Sequence, residues 1–260
     1  MTHHVLGVIP ARLASTRLPR KPLHPIAGRP LVEWVWRRAV ASGVFDAVVV
    51  ATDSPEVQAA ARAFGATAVL TRAEHPSGTD RVAEVARREE WRGYPVIVNV
   101  QGDEPFVRTD HLQAAVALVR EGWDVGTVAV PIPGADEWRD PAAVKVVRGD
   151  DGRALFFSRA PVPFPRDGAP DFAHDLYLRH VGIYAYAREA LLRWVSLPEG
   201  RLERIEKLEQ LRALAAGLRI GVAVGEPALG GVDTPADARM AENVLLHTTA
   251  PTPQLERATP

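Results

Sequence analysis

The sequence predicts an α/β domain built on a mixed, mostly parallel sheet flanked by helices. Three observations carry this. Short apolar runs alternate with amphipathic stretches of helical period along the first hundred residues. Runs such as "AVVVAT" (47–52) and "PVIVNV" (95–100) are apolar throughout, as strands covered on both faces are. The resulting β-α-β-α-β order makes a parallel sheet with right-handed crossovers the default.

Taken in order, "VLGVIPA" (5–11) reads as the first strand. "PLVEWVWRRAVAS" (30–42) follows as a helix, with Leu31, Trp34, Val35 and Arg38 at helical spacing. After the strand at 47–52, "SPEVQAAARAFG" (54–65) has Ser54 as N-cap, Pro55 in the first turn and Gly65 as stop. A strand at 66–71, a helix over 78–90 and the strand at 95–100 complete this half. The middle changes character. "VGTVAVPI" (125–132), "AVKVVR" (143–148) and "RALFFS" (153–158) are strand-like, and "GDDG" (149–152) is a hairpin turn. A Pro- and Gly-rich arm, "RAPVPFPRDGAPDF", leads to "HVGIYAY" (180–186), which rejoins the sheet. Helices are expected near 188–196 and over 201–216, a last strand at 219–224 and a last helix at 234–247. The expected organisation is one domain over residues 1–247, an inserted antiparallel region at about 125–185, and a disordered tail at 248–260.

Composition narrows the function. The 260 residues carry a net charge of −1, so no overall basic surface invites nucleic acid. There is no cysteine, which excludes disulfides and thiolate metal sites. No signal peptide and no run of about 20 apolar residues is visible, so a cytoplasmic protein without membrane insertion is expected.

Ligands of open α/β sheets bind beyond the carboxyl ends of the strands. The first strand ends in "ARLASTRLPRKPL", which gathers Arg12, Arg17, Arg20 and Lys21 around Ser15 and Thr16. It is neither a Walker A loop nor G-x-G-x-x-G, yet its amides and cations suit a polyphosphate. Lys21 offers a compact charge for a developing oxyanion. "VNVQGDEPFV" (98–107) ends a buried strand in Gln101, Gly102, Asp103 and Glu104, where a hard cation would find oxygen ligands. The competing reading makes Asp103 a cap for the next helix. "GGVDTPAD" (230–237) places Asp233 either as N-cap of the last helix or as the second carboxylate of such a site. "HPSGTDR" (75–81) opens a helix with Ser77, Gly78 and Thr79, as capping groups or as readers of a base or ribose. On a regular strand His180 and Tyr184 share a face. In a 201–216 helix Glu209 falls beside Leu202 and Ile205, pointing inward with Arg212 as its ion-pair partner.

Together "IPARLASTRLPRKPL", "VVVATDS", "HPSGTDR", "VNVQGDEPF", "AVKVV", "LFFSRAPVPFPRD", "RHVGIYAY", "LERIEKLEQLRAL" and "GVDTPAD" resemble, in order and spacing, the 3-deoxy-manno-octulosonate (KDO) cytidylyltransferase family over about residues 5–243. The resemblance implies a nucleotide-diphospho-sugar-transferase-like fold, a homodimer formed through the Pro-rich middle, and Mg²⁺ as cofactor. It implies that CTP and KDO give CMP-KDO and pyrophosphate for the lipopolysaccharide core. By the same resemblance Arg12, Ser15, Arg17 and Lys21 hold the triphosphate, with Lys21 or Arg12 nearest the α-phosphate. Asp103 and Asp233 are the metal ligands, and Lys21, Arg12 and Asp103 the catalytic set. Ser77, Gly78 and Thr79 belong to the cytidine pocket, and Gln101 reaches nucleotide and sugar. Arg159, His180, Tyr184, Glu209 and Gln210 complete the sugar-acid pocket.

Two positions depart from the family pattern. Arg20 stands where Gly is usual, at a place where φ > 0 would suit Gly better, and Arg204 stands where His is common. Three alternatives are kept: a cytidylyltransferase for an amino analogue of KDO, a sialic acid or a phosphonate; a glycosyltransferase, against which the missing D-x-D motif counts; and a non-catalytic CTP sensor.

Overall fold

The computed structural model describes residues 4–247; the tail expected at 248–260 lies outside the described residues. Its elements are β1 (Val5–Ala11), β2 (Pro25–Ile26), β3 (Arg29–Pro30), α1 (Leu31–Ala41), β4 (Ala47–Thr52), α2 (Pro55–Ala63), β5 (Thr67–Leu70), α3 (Gly78–Arg87), β6 (Val96–Asn99), α4 (Thr109–Arg120), β7 (Val125–Pro131), α5 (Ala135–Arg139), β8 (Lys145–Arg148), β9 (Ala154–Ser158), β10 (Leu178–Ala187), α6 (Arg188–Ser196), α7 (Arg201–Glu206), α8 (Gln210–Ala215), β11 (Ile220–Val224) and α9 (Pro235–His247). None of these helices is long and apolar enough to cross a membrane.

The main sheet runs β11-β7-β10-β6-β1-β4-β5. Neighbours are parallel except at β10, which is antiparallel to β6 and to β7. The sheet is therefore mixed and mostly parallel, as expected. Side chains of β1 alternate between its faces, as strand geometry requires. Leu6 and Val8 pack with α3 and α6 through Val82, Val85, Leu191 and Trp194. Val5, Ile9 and Ala11 pack with α1, α2 and α4 through Val35, Val57, Leu112 and Val116. A smaller apolar group fixes α9 against the loop after β1, with Leu18, Leu31, Val232 and Leu245 at its centre.

Over 125–185 the expected antiparallel region divides. β7 and β10 belong to the main sheet, while the β8–β9 hairpin pairs with the first two residues of β10. The sequence reading assigned nothing to the short β2, β3 and α5, and two longer elements also differ. Residues 109–120, left unassigned there, form α4, whose Leu112, Ala115, Val116 and Val119 are buried at helical spacing. The single helix expected over 201–216 is two, α7 and α8, because Lys207 takes a left-handed φ of 54°. The break buries Leu208 and Leu211 and leaves Leu202 and Ile205 in solvent, Ile205 at 79% exposure. The helical-wheel reason for turning Glu209 inward therefore does not hold. The direct ion pair expected for it is not formed: Arg212 Nη2 bonds Glu203 Oε1 at 2.9 Å, and Arg212 acts on Glu209 only through its charge.

Candidate active site

A cleft of about 650 Å³ opens beyond the carboxyl ends of β1 and β6. Its floor depends on Gly102. A Cβ there would lie 2.4 Å from Pro10 O, so only glycine lets the turn after β6 press against the end of β1. Asp103 is thereby brought beside the cationic loop.

That loop is pinned at several points. Leu18 is buried under α9. Ser15 Oγ accepts the Leu18 N–H at 3.4 Å, and Asp53 Oδ1 accepts the Leu13 N–H at 3.4 Å. Arg20 sits at φ 54° and pairs with Glu56 at the start of α2. A short 3-10 turn, Lys21–Leu23, follows and aims Lys21 into the cleft. The Lys21 ammonium, its side chain 15% exposed, contacts Asp103 Oδ2 and lies 2.7 Å from Asp233 Oδ1. Arg17 Nη2 reaches the same Asp233 oxygen at 3.0 Å. Burial opposes the charge on Lys21, but Asp103 and Asp233 outweigh it and raise its pKa above the ordinary lysine value. Next door, burial and then the charge of Asp103 push the Glu104 carboxyl up to about 7.

Both alternative capping roles are excluded by the geometry. Arg108, not Asp103, precedes α4 as its N-cap. At α9, Thr234 Oγ1 accepts the Asp237 N–H at 3.2 Å and Asp237 Oδ2 accepts the Thr234 N–H at 2.8 Å. This reciprocal pair caps the helix and releases the Asp233 carboxylate to the cleft. Ser77 does cap α3, its Oγ accepting the Asp80 N–H at 3.2 Å, and it lines the cleft together with Gly78. Thr79 is buried behind them.

Arg12, Ser15, Arg17, Lys21, Ser77, Gly78, Gln101, Asp103 and Asp233 thus share one cleft. The remaining expected residues form a second group alongside it. Gln101 Nε2 donates to Gly182 O at 3.1 Å, at a bulge in β10. The bulge sets Val181 and Tyr184 opposite consecutive residues of β7, so His180 and Tyr184 keep one face; their rings are 5.1 Å apart. His180 lies inside β10, which begins two residues earlier than expected, at Leu178. Its Nε2 is 2.9 Å from Thr127 Oγ1, which donates to Ile183 O at 2.6 Å. With that hydroxyl proton committed, Nε2–H is the donor. Burial, and secondarily Arg179, lowers the His180 pKa to about 3, which keeps the ring neutral. Tyr184 OH accepts from Gln210 Nε2. Glu209 has its pKa raised by burial, against the pull of the Thr79 hydroxyl, Arg212 and the Ser77 hydroxyl. Its Oε2 has no hydrogen-bond partner among the described residues. Glu209 thus joins the two groups. Arg159 is turned to the protein: its Nε and Nη1 donate to Glu206 O and Pro141 O, each at 2.8 Å.

The sequence reading missed Arg81 and Asp53. Arg81 is buried at the cleft wall, donating to Thr71 Oγ1 and, at 3.0 Å, to Asp53 Oδ2. In the sequence it reads as one more residue of the capping segment 75–81. The available signal was an acid directly after the "VVVAT" strand, at the end where such sheets bind ligands.

As a metal site the cleft offers two hard carboxylates, a donor set suited to Mg²⁺. No cluster of three or more His, Cys, Asp or Glu able to hold a metal occurs among the described residues. Further ligands would be water or phosphate oxygens.

The sequence model of the cytidylyltransferase family matches residues 6–220. A 3-deoxy-manno-octulosonate cytidylyltransferase from Gemmatimonas aurantiaca is 56% identical over 236 residues, 90% of this chain and 91% of that protein. The protein of the same name from Acidobacterium capsulatum is 48% identical over 244 residues, 94% of this chain and 97% of its own. Among solved structures, CMP:2-keto-3-deoxy-manno-octonic acid synthetase complexed with CTP superposes with a TM-score of 0.86 at 40% identity, covering 94% of this chain and 98% of that one. A 4-diphosphocytidyl-2C-methyl-D-erythritol synthase from Anaerococcus prevotii, 11% identical with a TM-score of 0.63 over 94% of this chain and 99% of its own, shares the fold.

Proposed function

From the premise that the chain belongs to the 3-deoxy-manno-octulosonate cytidylyltransferase family, we propose that it is a Mg²⁺-dependent enzyme that transfers CMP from CTP to the anomeric hydroxyl of KDO. The products are CMP-KDO, for the lipopolysaccharide core, and pyrophosphate. The observation that carries this is the convergence of Lys21 and Arg17 on Asp103 and Asp233 in one cleft, with Arg12 beside them.

The triphosphate would lie along the loop after β1. Arg12 and Arg17 suit bidentate contact with its oxygens, and Ser15 and the loop amides add neutral donors. Ser77 and Gly78, at the start of α3, face the same cleft and suit the cytidine. The sugar acid would lie towards β10, read by Gln101, Tyr184, Glu209 and Gln210. His180 supports that wall as a neutral ring. Arg159 would answer the sugar carboxylate by exchanging one of its backbone acceptors for it.

In the transfer the anomeric oxygen forms a bond to the α-phosphorus. The bond from that phosphorus to the bridging oxygen of the leaving pyrophosphate breaks, and the hydroxyl proton passes to solvent water. Lys21, Arg12 and Arg17 offset charge growing on the leaving group. Held by Asp103, Asp233 and phosphate oxygens, Mg²⁺ would supply charge neutralisation and alignment of the reactants. A homodimer is part of the reading, supported by the exposed Leu155, Phe164 and Leu176 around the hairpin and the Pro-rich arm, as is a cytoplasmic location.

The test is pyrophosphate release from CTP and Mg²⁺ with KDO, its 8-amino analogue or N-acetylneuraminate. Release with KDO is expected. Release only with another acceptor moves the sugar. CTP binding without release from any acceptor favours the sensor.

A further inference from the structure

Lys21 does more in this geometry than wait for a phosphate. Its ammonium bonds two carboxylates far apart in the sequence, through Asp103 Oδ2 and Asp233 Oδ1. A divalent cation held by both aspartates would draw on the same two carboxylates, each already giving one oxygen to the ammonium. We infer that Lys21 is a built-in competitor of the metal: its ammonium holds the aspartate pair, and the divalent cation gains that pair only when a polyphosphate arrives to take the ammonium over. The inference rests on the metal reading given under Proposed function and deepens it.

Charge is the first argument. Lys21 and Arg17 bring two positive charges to the two negative ones of Asp103 and Asp233. The group is neutral as it stands. A bare divalent cation would leave two positive charges uncompensated in a partly buried site, where repulsion is poorly screened. A triphosphate brings the missing negative charge with it.

The second argument is reach. The Lys21 side chain is a flexible stem with a point charge and no fixed hydrogen-bond geometry. It rises from the first residue of a short turn into a cleft of about 650 Å³ whose wall also carries Arg12, Ser15 and Arg17. An ammonium leaving the aspartates therefore moves along the surface proposed for the triphosphate. The third is donor count. With two carboxylates, and no cluster of three or more potential ligands among the described residues, the protein supplies too few oxygens to outbid a pre-bound cation unaided.

The experiment uses the full chain and Mn²⁺ as probe, read by the paramagnetic resonance signal of the free ion, without nucleotide. Lys21→Met and Lys21→Gln should each bind Mn²⁺ about tenfold or more tightly than the wild type, because Asp103 is left unpaired and Asp233 keeps only the exposed Arg17. The gain should vanish when Asp103→Asn is added. Equal or weaker Mn²⁺ binding by both variants overturns the inference, as does a gain that survives Asp103→Asn. The metal reading is tested separately through water-proton relaxation by Mn²⁺ with CTP. If wild type and Asp103→Asn give the same enhancement there, Asp103 is not a ligand and both readings fall. If only the wild type is enhanced while Lys21 replacement tightens nothing, the metal site stands and the competition does not.

Discussion

Lys21 and His180 are both at least partly buried basic side chains, yet the site treats them oppositely. Lys21 meets two carboxylates and stays charged; His180 meets a threonine hydroxyl and stays neutral. Lys21→Ala should lower kcat by about 10²–10³-fold, the scale seen when one donor to a developing oxyanion is removed, while the KM for the sugar changes little. Steady-state kinetics decide this, and a defect confined to sugar KM would remove Lys21 from the transition state. For His180 the folded pKa, about 3, lies below the ordinary value of about 6.5 in an unfolded chain. The unfolded state then binds more protons between these limits. The His180 contribution is complete above pH about 6.5 and is lost as pH falls towards 3. Urea midpoints against pH should fall less steeply in acid for His180→Asn than for the wild type, and parallel curves would contradict the buried, neutral assignment. Much of this chemistry is legible in residue types at strand ends: Lys21, Asp103 and Asp233 are all candidates before any fold is known. The Asp53–Arg81 pair is not legible in the same way. It joins two charges from different loops, and each has a local surface role available.

The elements that bring these residues together rest on tight backbone contacts. Gly102 holds the turn after β6 against Pro10 O, where a methyl group would overlap the carbonyl oxygen. Gly102→Ala must push the turn away and carry Asp103 with it. Turnover should drop at least about tenfold with the melting temperature changed much less, since a misplacement of an ångström at a reacting site costs that much or more; unchanged turnover would show that the turn absorbs the methyl elsewhere. Strands were the best-read elements because apolar runs and turn residues mark both ends. The 201–216 break was hidden because Lys207, at φ 54°, carries no glycine to announce a left-handed residue. Arg20 differs: the Gly usual at that position marks it in advance, and Arg20 does take a φ of 54°, with the Glu56 ion pair as a tether that Gly lacks. Helix α4 is different: its apolar spacing, Leu112, Ala115, Val116 and Val119, is present in the sequence.

At the scale of the molecule, the hairpin of β8 and β9 and the arm after it leave Phe164 78% exposed, with Leu155 and Leu176 nearby in solvent. Burying one such aromatic is worth about 1.5–3 kcal/mol. Phe164→Glu should therefore shift the proposed dimer towards monomer at micromolar concentration in sedimentation velocity, and an unchanged sedimentation coefficient would put the contact elsewhere. The mixed sheet was expected from the strand series. The place of β10 was not, because periodicity says that a strand exists and not which strands it separates. That place has a consequence for how the chain is made. Leaving the ribosome, β6, α4 and β7 form a right-handed crossover unit whose two strands would pair directly, but in the finished sheet β10 lies between them. The nascent chain must keep that gap open until Leu178–Ala187 is synthesised, with the apolar face of α4 waiting for cover. A chain stopped before Leu178 should show rapid amide exchange throughout Val125–Pro131 while β1 and β4 are already protected; protection of β7 in such a chain would mean that the crossover had closed on itself and that β10 must later prise it apart.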